Sequence, residues 1–305
     1  EATPLVNTDW EVAYDQFVLP VSKNARGYRP DKVGNTTFTV DKATGALNSL
    51  CLDGEELLGS PMTLSLFRPA TDNDNRDQMG AKLWRAAGLD ALTQKVVSLK
   101  ESKTSTTAQV DILNAKGEKV GDATFAYTLN RDGSVKVRTT FQPDTTLVKS
   151  MARLGLTFEV EDAYDHITYL GRGEHETYID RNQSGKIGIY ETTPERMFHY
   201  YVVPQSTGNR TDVRWMKLTD DAGKGCWVES DSPFQFSTIA FPDVMVEKAR
   251  HINELERNGK ITVHLDAKQA GVGTATCGPG VQSQYLVPLT KQTFDFIIYP
   301  VKNRE

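Results

Sequence analysis

Apolar and polar residues alternate in short runs along most of this chain, as they do in strands that bury one face. Turn dipeptides in which glycine permits a positive φ separate these runs. The clearest turn dipeptides are Asp53-Gly54, Asp132-Gly133 and Asn258-Gly259. Residues 123–129 and 135–141 alternate on the two sides of the second dipeptide, which predicts a β-hairpin with one buried face and a well-defined register.

A helical pattern is scarce, and residues 79–92 are its best example. The expected apolar stripe consists of Leu83, Trp84, Ala87 and Leu92. The capping candidates before it are Asn75 and Asp77. Elsewhere strands follow one another without strand–helix alternation, which excludes a doubly wound sheet or a barrel of parallel strands. The sequence therefore predicts an all-β fold with one short helix lying on a sheet.

The alternation is interrupted once, before residue 35. Residues 10–20 alternate as a strand, whereas residues 21–34 are polar, basic and rich in turn-forming residues, as a linker would be. We therefore expect residues 1–20 to end a preceding domain, residues 21–34 to be a linker, and residues 35–305 to form one β-domain. The chain starts at Glu1, with neither an initiator Met nor a cleavable signal, and we expect this start to be a cut within a longer chain.

The composition changes this interpretation little. The 305 residues include 12 Phe, 11 Tyr and 4 Trp, which is enough large apolar surface for a core. The net charge is -5 and the basic residues are scattered, so nucleic acid is not an expected partner. No apolar run approaches the roughly 20 residues that cross a bilayer, so no membrane partner is expected either. Cys51, Cys226 and Cys277 lack the paired spacing of a zinc site, and we expect free thiols and no structural metal.

The residues that usually carry catalysis do not form a recognisable motif. None of the five histidines has the sequence context of a nucleophilic triad, and no glycine-rich phosphate loop is present. A pair of carboxylates could serve glycoside hydrolysis, but 40 acidic residues offer too many pairs for a choice from sequence. The residues alone therefore indicate a large β-domain without an assigned catalytic group.

Three segments have unusual compositions, and the first is residues 67–74. It places Asp72, Asn73 and Asp74 in consecutive positions after a strand. Their oxygens could form a sugar or cation site. The alternative, which these residue types favour, is an Asx-rich turn and helix cap, with Arg68 as the internal partner of one carboxylate.

The second segment, residues 169–181, combines charges of both signs with aromatic residues. Its candidate binding residues are Arg172, Glu176, Tyr178, Asp180 and Arg181. The charged side chains could hydrogen-bond a polyol while the tyrosine ring stacks on it. The alternative is a charge-paired loop that holds the edge of a sandwich, and both interpretations stay open.

The third segment, residues 266–280, contains four glycines and a proline, with no charge after Lys268. A loop of this composition lets its backbone approach another group closely. It could equally be a tight connection between strands, which is the commoner use of Gly and Pro. Thr276 and Cys277, near its end, are further candidate pocket residues.

Together these segments resemble the C-terminal domain of the large bacterial β-galactosidases of glycoside hydrolase family 2. The family's Arg-Ala-Pro-Thr-Asp-Asn-Asp is similar to residues 68–74, with two positions exchanged. Its Gly-Arg-Gly-Pro-x-Glu-x-Tyr-x-Asp-Arg is similar to residues 171–181, with Glu174 in place of the proline. The similarity runs in order from about Trp10 to the C-terminus.

Two positions depart from the family's pattern. Its Pro-Gln-Glu-x-Gly-Asn-Arg is similar to residues 204–210, but Ser206 stands where a Glu is usual. By the same resemblance, Asn209 and Arg214 join the candidate pocket residues. The family's tryptophan on the glycine-rich loop, an apolar platform for the sugar, corresponds to Cys277, and a cysteine cannot stack on a sugar ring.

The resemblance implies a β-supersandwich of the galactose mutarotase-like type, with two large antiparallel sheets. It places the two catalytic glutamates in a barrel outside this chain. This domain is then non-catalytic, inactive alone, and one wall of the pocket of an enzyme that hydrolyses terminal β-galactosides. No cofactor is expected in this chain. Mg²⁺ and Na⁺ used by some relatives are bound mainly by the barrel.

The resemblance also implies the partners. They are the remaining domains of the same polypeptide and a galactoside substrate, in a soluble bacterial enzyme that forms a homo-oligomer. The cytoplasm and the periplasm both stay open as its compartment. Two other functions stay open as well, a stand-alone carbohydrate-binding module and an aldose 1-epimerase-like activity, the latter by analogy of fold alone.

Overall fold

The structure is a computed structural model that describes residues 13–17, 30–31 and 34–302. The predicted strand over residues 10–20 and the linker over 21–34 therefore lie largely outside the described residues. Residues 13–17 have no regular secondary structure. The Gln16 side-chain amide accepts from the Ile187 N–H at 2.6 Å and donates to its C=O at 2.9 Å, so this segment lies beside the strand that contains Ile187.

The all-β fold predicted from the sequence is confirmed. The strands of the described part of the chain are β1 (Thr36–Val40), β2 (Leu47–Leu52), β3 (Glu55–Glu56), β4 (Thr63–Ser65), β5 (Thr93–Glu101), β6 (Ser105–Leu113), β7 (Lys119–Leu129), β8 (Val135–Pro143), β9 (Arg153–Glu161), β10 (His166–Gly173), β11 (Lys186–Thr192), β12 (Arg210–Thr219), β13 (Gly225–Ile239), β14 (Lys260–Gln269) and β15 (Gln292–Val301). The α-helices described with them are α1 (Asp72–Arg76), α2 (Ala81–Ala86), α3 (Pro194–Met197) and α4 (Asp243–Lys248). Two 3-10 turns, Ile252–Glu254 and Ser283–Tyr285, are also present.

Strands β4 to β15 form one antiparallel sheet of 12 strands. Its main path is β11-β10-β12-β13-β15-β8-β7-β6-β5. A branch leaves this path at β13, where β14 pairs with β13, β9 with β14, and β4 with β9. The branch arises because residues 225–229 of β13 pair with β15, whereas residues 235–239 pair with β14. The two sheets expected from the sequence are thus joined through one long strand. Strands β1 to β3 form a separate sheet.

The hairpin predicted around Asp132-Gly133 is confirmed as β7 and β8. Leu129 pairs with Val135, and the turn between them has Gly133 at a φ of 82°. Along β8 alternate residues are buried, which is the periodicity that predicted the pairing. The side chain of Tyr127 on β7 points inward, and its hydroxyl donates to the Gly45 carbonyl at 2.9 Å.

The predicted helix over residues 79–92 is shorter than expected, and three further short helices accompany it in the described residues. Helix α2 ends at Ala86, and Gly88 follows in the left-handed region with a φ of 69°. Trp84 is buried as predicted, and its Nε1 donates to Ser150 Oγ at 3.1 Å. The predicted caps, Asn75 and Asp77, are not used, because Gly80 is the N-cap and makes no side-chain hydrogen bond.

One large apolar core contains residues from both branches of the sheet. Phe234 on β13 packs edge-on against Phe296 on β15, with ring centroids 5.5 Å apart. All three cysteines are free thiols, as expected, and Cys226 is buried whereas Cys277 is exposed. Within the described residues, no helix is long and apolar enough to span a bilayer.

Candidate functional site

Parts of all three unusual segments meet at one small cleft of about 240 Å³. The walls come from α1, the loop after β10, the loop between α3 and β12, and the glycine-rich loop after β14. Six of the twelve candidate residues line it: Asp72, Asn73, Glu176, Tyr178, Arg181 and Thr276. Tyr201, Gln205 and Ser206 also line it, although the sequence did not single them out as candidate contacts.

A buried ion pair lies next to the cleft. The side chains of Arg68 and Asp74 are 0% and 1% exposed, and Arg68 Nε and Nη2 donate to the two carboxylate oxygens at 3.0 and 2.8 Å. Asp74 also accepts from the Thr71 N–H at 3.0 Å, while Thr71 Oγ1 accepts from the Asp74 N–H at 3.1 Å. This reciprocal capping box starts α1. Asp74 is therefore a cap and an ion-pair partner, as the alternative interpretation predicted.

Three side chains hold the glycine-rich loop in place. Arg68 donates to the carbonyls of residues 270 and 271 at 2.7 and 2.8 Å. Asp180 accepts from the N–H groups of residues 272 and 273 at 3.0 and 2.8 Å. Asn73 donates to the carbonyl of residue 273 at 2.9 Å and accepts from the Thr276 hydroxyl at 2.6 Å. Polar candidates from the first two segments therefore fix the shape of the third.

Gly271 is required by the closeness of this packing. A Cβ at this position would lie 2.3 Å from Asp180 Oδ2, well inside van der Waals contact. The interpretation of this segment as a loop whose backbone approaches another group closely is thus supported, but the group is Asp180 of the same chain. Cys277 is exposed on the same loop beside Thr276, and its N–H donates to the Thr274 carbonyl at 3.0 Å.

Glu176 is the most highly coordinated carboxylate in the cleft. Its four donors are Tyr201 Oη at 2.5 Å, Arg181 Nη2 at 2.6 Å, Thr207 Oγ1 at 2.8 Å and the Gly208 N–H at 3.0 Å. Burial opposes ionisation of Glu176 and is the largest single influence, but these hydrogen bonds outweigh it and hold the pKa of the carboxyl below its ordinary value of 4.5. Glu176 is therefore an anion at neutral pH.

The two tyrosines of the cleft differ in exposure. Tyr178 is only 2% exposed, with the guanidinium carbons of Arg68 and Arg181 5.7 and 5.3 Å from its ring centroid. The protein encloses this ring, which does not favour the predicted stacking on a polyol. Tyr201 is partly exposed, and burial followed by its hydrogen bond to Glu176 raises the pKa of its hydroxyl to about 12.

Asp72 and Arg181 keep polar surface toward the solvent. Asp72 is exposed, and Gln205 Nε2 lies 3.4 Å from its Oδ2, which is a long hydrogen bond. The Arg181 side chain is 51% exposed and uses Nη2 for its ion pair with Glu176. Since a guanidinium has five donors, Arg181 keeps donors available for a ligand in the cleft.

Six candidate residues do not line the cleft, and besides Asp74, Asp180 and Cys277 they are Asn209, Arg172 and Arg214. Asn209 is buried, and its Nδ2 donates to the Thr177 carbonyl at 2.9 Å, so it supports the loop after β10 from within. Arg172 and Arg214 line a different cleft, where Arg172 Nε donates to Asp212 Oδ2 at 2.5 Å and Arg214 contacts the Asp212 carbonyl. The sequence proximity of Arg172 to Arg181 was therefore misleading, because β10 ends between them and the chain changes direction.

Tyr201 had a signal in the sequence. It ends the run His199-Tyr200-Tyr201, which two residues separate from the Pro204–Arg210 motif, and tyrosines are enriched at interfaces because they combine a large apolar ring with a polar hydroxyl. Among the described residues, no three His, Cys, Asp or Glu side chains come together as the ligands of a metal ion.

Comparison with other proteins identifies a matching family and similar sequences. A family model described as "Beta galactosidase small chain" matches residues 32–298. The β-galactosidase of Priestia megaterium is 30% identical over 293 residues, which are 89% of this chain and 28% of that protein. The β-galactosidase of Kluyveromyces lactis is 29% identical over 273 residues, 85% of this chain and 26% of that protein. The chain thus spans under a third of the length of these relatives.

The solved structures that match this chain are distant in sequence. A GalM/aldose epimerase homologue from C. elegans is 12% identical with a TM-score of 0.47, covering 88% of this chain and 97% of that one. A galactose 1-epimerase from Lactobacillus acidophilus is 10% identical with a TM-score of 0.45, covering 89% and 92%.

Proposed function

We propose that this chain, which belongs to the β-galactosidase small-chain family, is a non-catalytic domain that forms one wall of the sugar pocket of a larger β-galactosidase. The observation that carries the proposal is the convergence of three segments, about 200 residues apart at the extremes, on one cleft. Its exposed carboxylate, guanidinium and tyrosine groups are those that bind sugar hydroxyls and sugar ring faces.

The dimensions of the cleft support a single sugar unit as its ligand. A volume of about 240 Å³ lies below the roughly 300–1,000 Å³ of pockets for drug-sized ligands. Most of its lining groups are already held by hydrogen bonds within the chain, so binding orders few additional side chains and little conformational entropy is lost.

The electrostatics of Glu176 support a non-catalytic role. Glycoside hydrolysis needs a pair of carboxyl groups, one of which has a raised pKa so that it can donate a proton. Four hydrogen bonds occupy Glu176 and keep its pKa low, so it is a poor proton donor. Asp72 is the one other carboxylate lining the cleft in the described part of the chain. Glu176 thus does not suit the role of proton donor, and we assign both the proton donor and the nucleophile to another part of the enzyme.

The test has two arms. The purified chain should not hydrolyse a chromogenic β-galactoside, and turnover well above a blank would contradict the proposal. In the full-length polypeptide that carries this domain, Asp72→Asn should raise KM for the same substrate about tenfold, because it weakens a contact to the sugar, with a smaller effect on kcat. Asp90→Asn, on an exposed residue outside the cleft, is the matched control.

The second arm also separates this role from that of a remote carbohydrate-binding module. Such a module would leave KM for a small chromogenic galactoside unchanged, because its ligand is not the molecule undergoing hydrolysis. An unchanged KM for Asp72→Asn would therefore reject the pocket-wall proposal.

A further inference from the structure

We infer that the Gln16 side chain closes the edge of β11, and that this edge, once opened, fits β11 of a second copy of the chain. Strand β11 ends the main path of the 12-stranded sheet, so among the described strands it pairs only with β10. The other side of an edge strand presents N–H and C=O groups to which a further strand can add. The inference is independent of the proposed pocket wall, because no residue of β11 lines the cleft.

Alternate residues of β11 direct their backbone groups away from β10. The N–H and C=O of Ile187 both point outward, since they bind the Gln16 amide at 2.6 and 2.9 Å. Along an antiparallel pair the backbone groups alternate in direction, and the β10–β11 register has no shift over residues 186–192. Ile189 and Glu191 therefore point their N–H and C=O groups outward as well.

The Gln16 amide imitates one residue of a neighbouring strand. A primary amide has a donor and an acceptor side by side, the same combination that a backbone residue presents to an antiparallel partner. Tyr14 holds this segment in position, because its hydroxyl donates to the Gln183 carbonyl at 2.5 Å and the Lys186 ammonium lies 4.4 Å from its ring centroid. A further strand cannot use this position of the edge while Gln16 occupies it.

Beyond Gln16 the edge is open within the part of the chain that the structure describes. The outward N–H and C=O of Ile189 have no hydrogen-bond partner there, and Ile189 is 66% exposed. None of the seven residues of β11 is buried. An exposed apolar residue on an unpaired edge favours pairing with another strand. The Gln16 amide is therefore the group that opposes the addition of a strand at this edge.

Strand β11 is complementary to a second copy of itself. Antiparallel pairing of two copies about Ile189 places the two exposed isoleucines opposite each other. The same register places Ile187 opposite Glu191. Lys186 lies opposite Thr192, so no two like charges face each other across the pair. Because both copies use the same edge, the contact closes at two copies and does not extend to a third.

The concentration dependence of sedimentation tests the inference on the 305-residue chain. Gln16→Ala removes the amide from the edge, so self-association should become at least about tenfold tighter than in wild type. Gln183→Ala is the matched control, because it removes an exposed glutamine nearby and keeps the backbone carbonyl that accepts from Tyr14. This control should sediment as wild type does. Identical sedimentation of Gln16→Ala and wild type at every concentration would overturn the inference.

A second substitution shows which edge the two copies use. The Ile189 N–H points away from β10, so a proline at this position keeps the sheet intact and removes a donor that the second copy needs. Adding Ile189→Pro to Gln16→Ala should therefore return sedimentation to that of wild type. Association that persists in the double variant would place the contact elsewhere and contradict the inference. Circular dichroism of each variant checks that it folds.

Hydrogen exchange of the wild-type chain provides a test that needs no variant. The Ile187 amide donates to Gln16, whereas the outward Ile189 amide is open, so the Ile189 amide should exchange at least about tenfold faster. NMR of the backbone amides resolves the two residues. Equal exchange rates would show that Gln16 does not hold the edge, and this result decides against the inference even if a variant fails to fold.

Discussion

The three consecutive residues Asp72, Asn73 and Asp74 have three different roles, although their side chains are chemically alike. Successive residues of a helix point about 100° apart, so the first turn of α1 directs them to different surroundings. Asp72 is exposed at the cleft, Asn73 ties down the glycine-rich loop, and Asp74 is buried against Arg68. The sequence identified the cluster, but the choice between a cap and a site had to be made residue by residue.

The buried Arg68–Asp74 ion pair predicts that substitution of Asp74 lowers the stability of the protein much more than substitution of Asp72. Asp74→Ala leaves the Arg68 charge buried without its carboxylate and should lower the free energy of unfolding by about 3–5 kcal/mol. Asp72→Ala removes an exposed charge near a helix N-terminus and should cost less than about 1 kcal/mol. Urea denaturation measures both values. Equal effects on stability would show that the Arg68–Asp74 pair does not contribute as described. The double substitution Arg68→Met with Asp74→Leu should recover part of the stability that Asp74→Ala loses.

Glu176 predicts a pH-dependent contribution to stability. At pH 7, Glu176→Gln should cost about 1–3 kcal/mol, because donors in the cleft lose a charged acceptor. The folded-state pKa of Glu176 lies below 4.5, so its contribution is complete above that pH and is lost as the pH falls through the folded-state pKa. The stability difference between wild type and variant should therefore narrow below pH 4.5.

Urea denaturation at several pH values tests this sign. Glu256→Gln, on an exposed carboxylate away from the cleft, serves as the control and should give a small difference throughout. A wild-type advantage that grows on acidification would contradict the assigned hydrogen bonds of Glu176.

At the scale of elements, the glycine-rich loop is attached to the rest of the domain by side chains from outside itself. It has no strand or helix of its own between Gln269 and the 3-10 turn that starts at Ser283. Turn hydrogen bonds within the loop satisfy some of its backbone groups, and Arg68, Asp180, Asn73 and Asp77 satisfy others. The position of the loop therefore depends on these side chains.

Asp180→Asn tests the rigidity of the loop. An asparagine of the same size presents one amide NH₂ where two carboxylate oxygens now accept from Val272 and Gly273. Hydrogen exchange measured by mass spectrometry should become about tenfold faster in peptides covering residues 270–281. Exchange elsewhere should not change, and Asp90→Asn should leave the loop as in wild type. Unaltered exchange in the loop would mean that Asp180 does not hold it.

The elements that depend on local pattern were predictable, whereas the cleft was only partly so. The β7–β8 hairpin follows from alternation around one turn, which is information within about 20 residues. The predicted helix was too long because the apolar stripe continues past Gly88, whose left-handed conformation ends α2. The contacts of Asn73 with residues 273 and 276 span 200 positions or more and depend on strand pairing that no local pattern specifies.

At the scale of the whole molecule, β13 connects what would otherwise be two sheets. Its first residues pair with β15 and its last with β14, while β12 lies along its other edge. Side chains from both branches enter the same apolar core. Neither branch can therefore separate without exposing core residues of the other, even though chains of this length often unfold through intermediates.

This connection predicts one cooperative unfolding transition, which tryptophan fluorescence can test. Trp84 lies in the main core, whereas Trp215 and Trp227 stack 4.1 Å apart in a separate apolar cluster with residues of β15. One variant keeps Trp84 and another keeps the stacked pair, with the other tryptophans replaced by Phe. In each variant, the urea midpoint measured by tryptophan fluorescence should equal the midpoint measured by circular dichroism of the same sample. An earlier transition at either reporter would show that β13 does not couple the two branches.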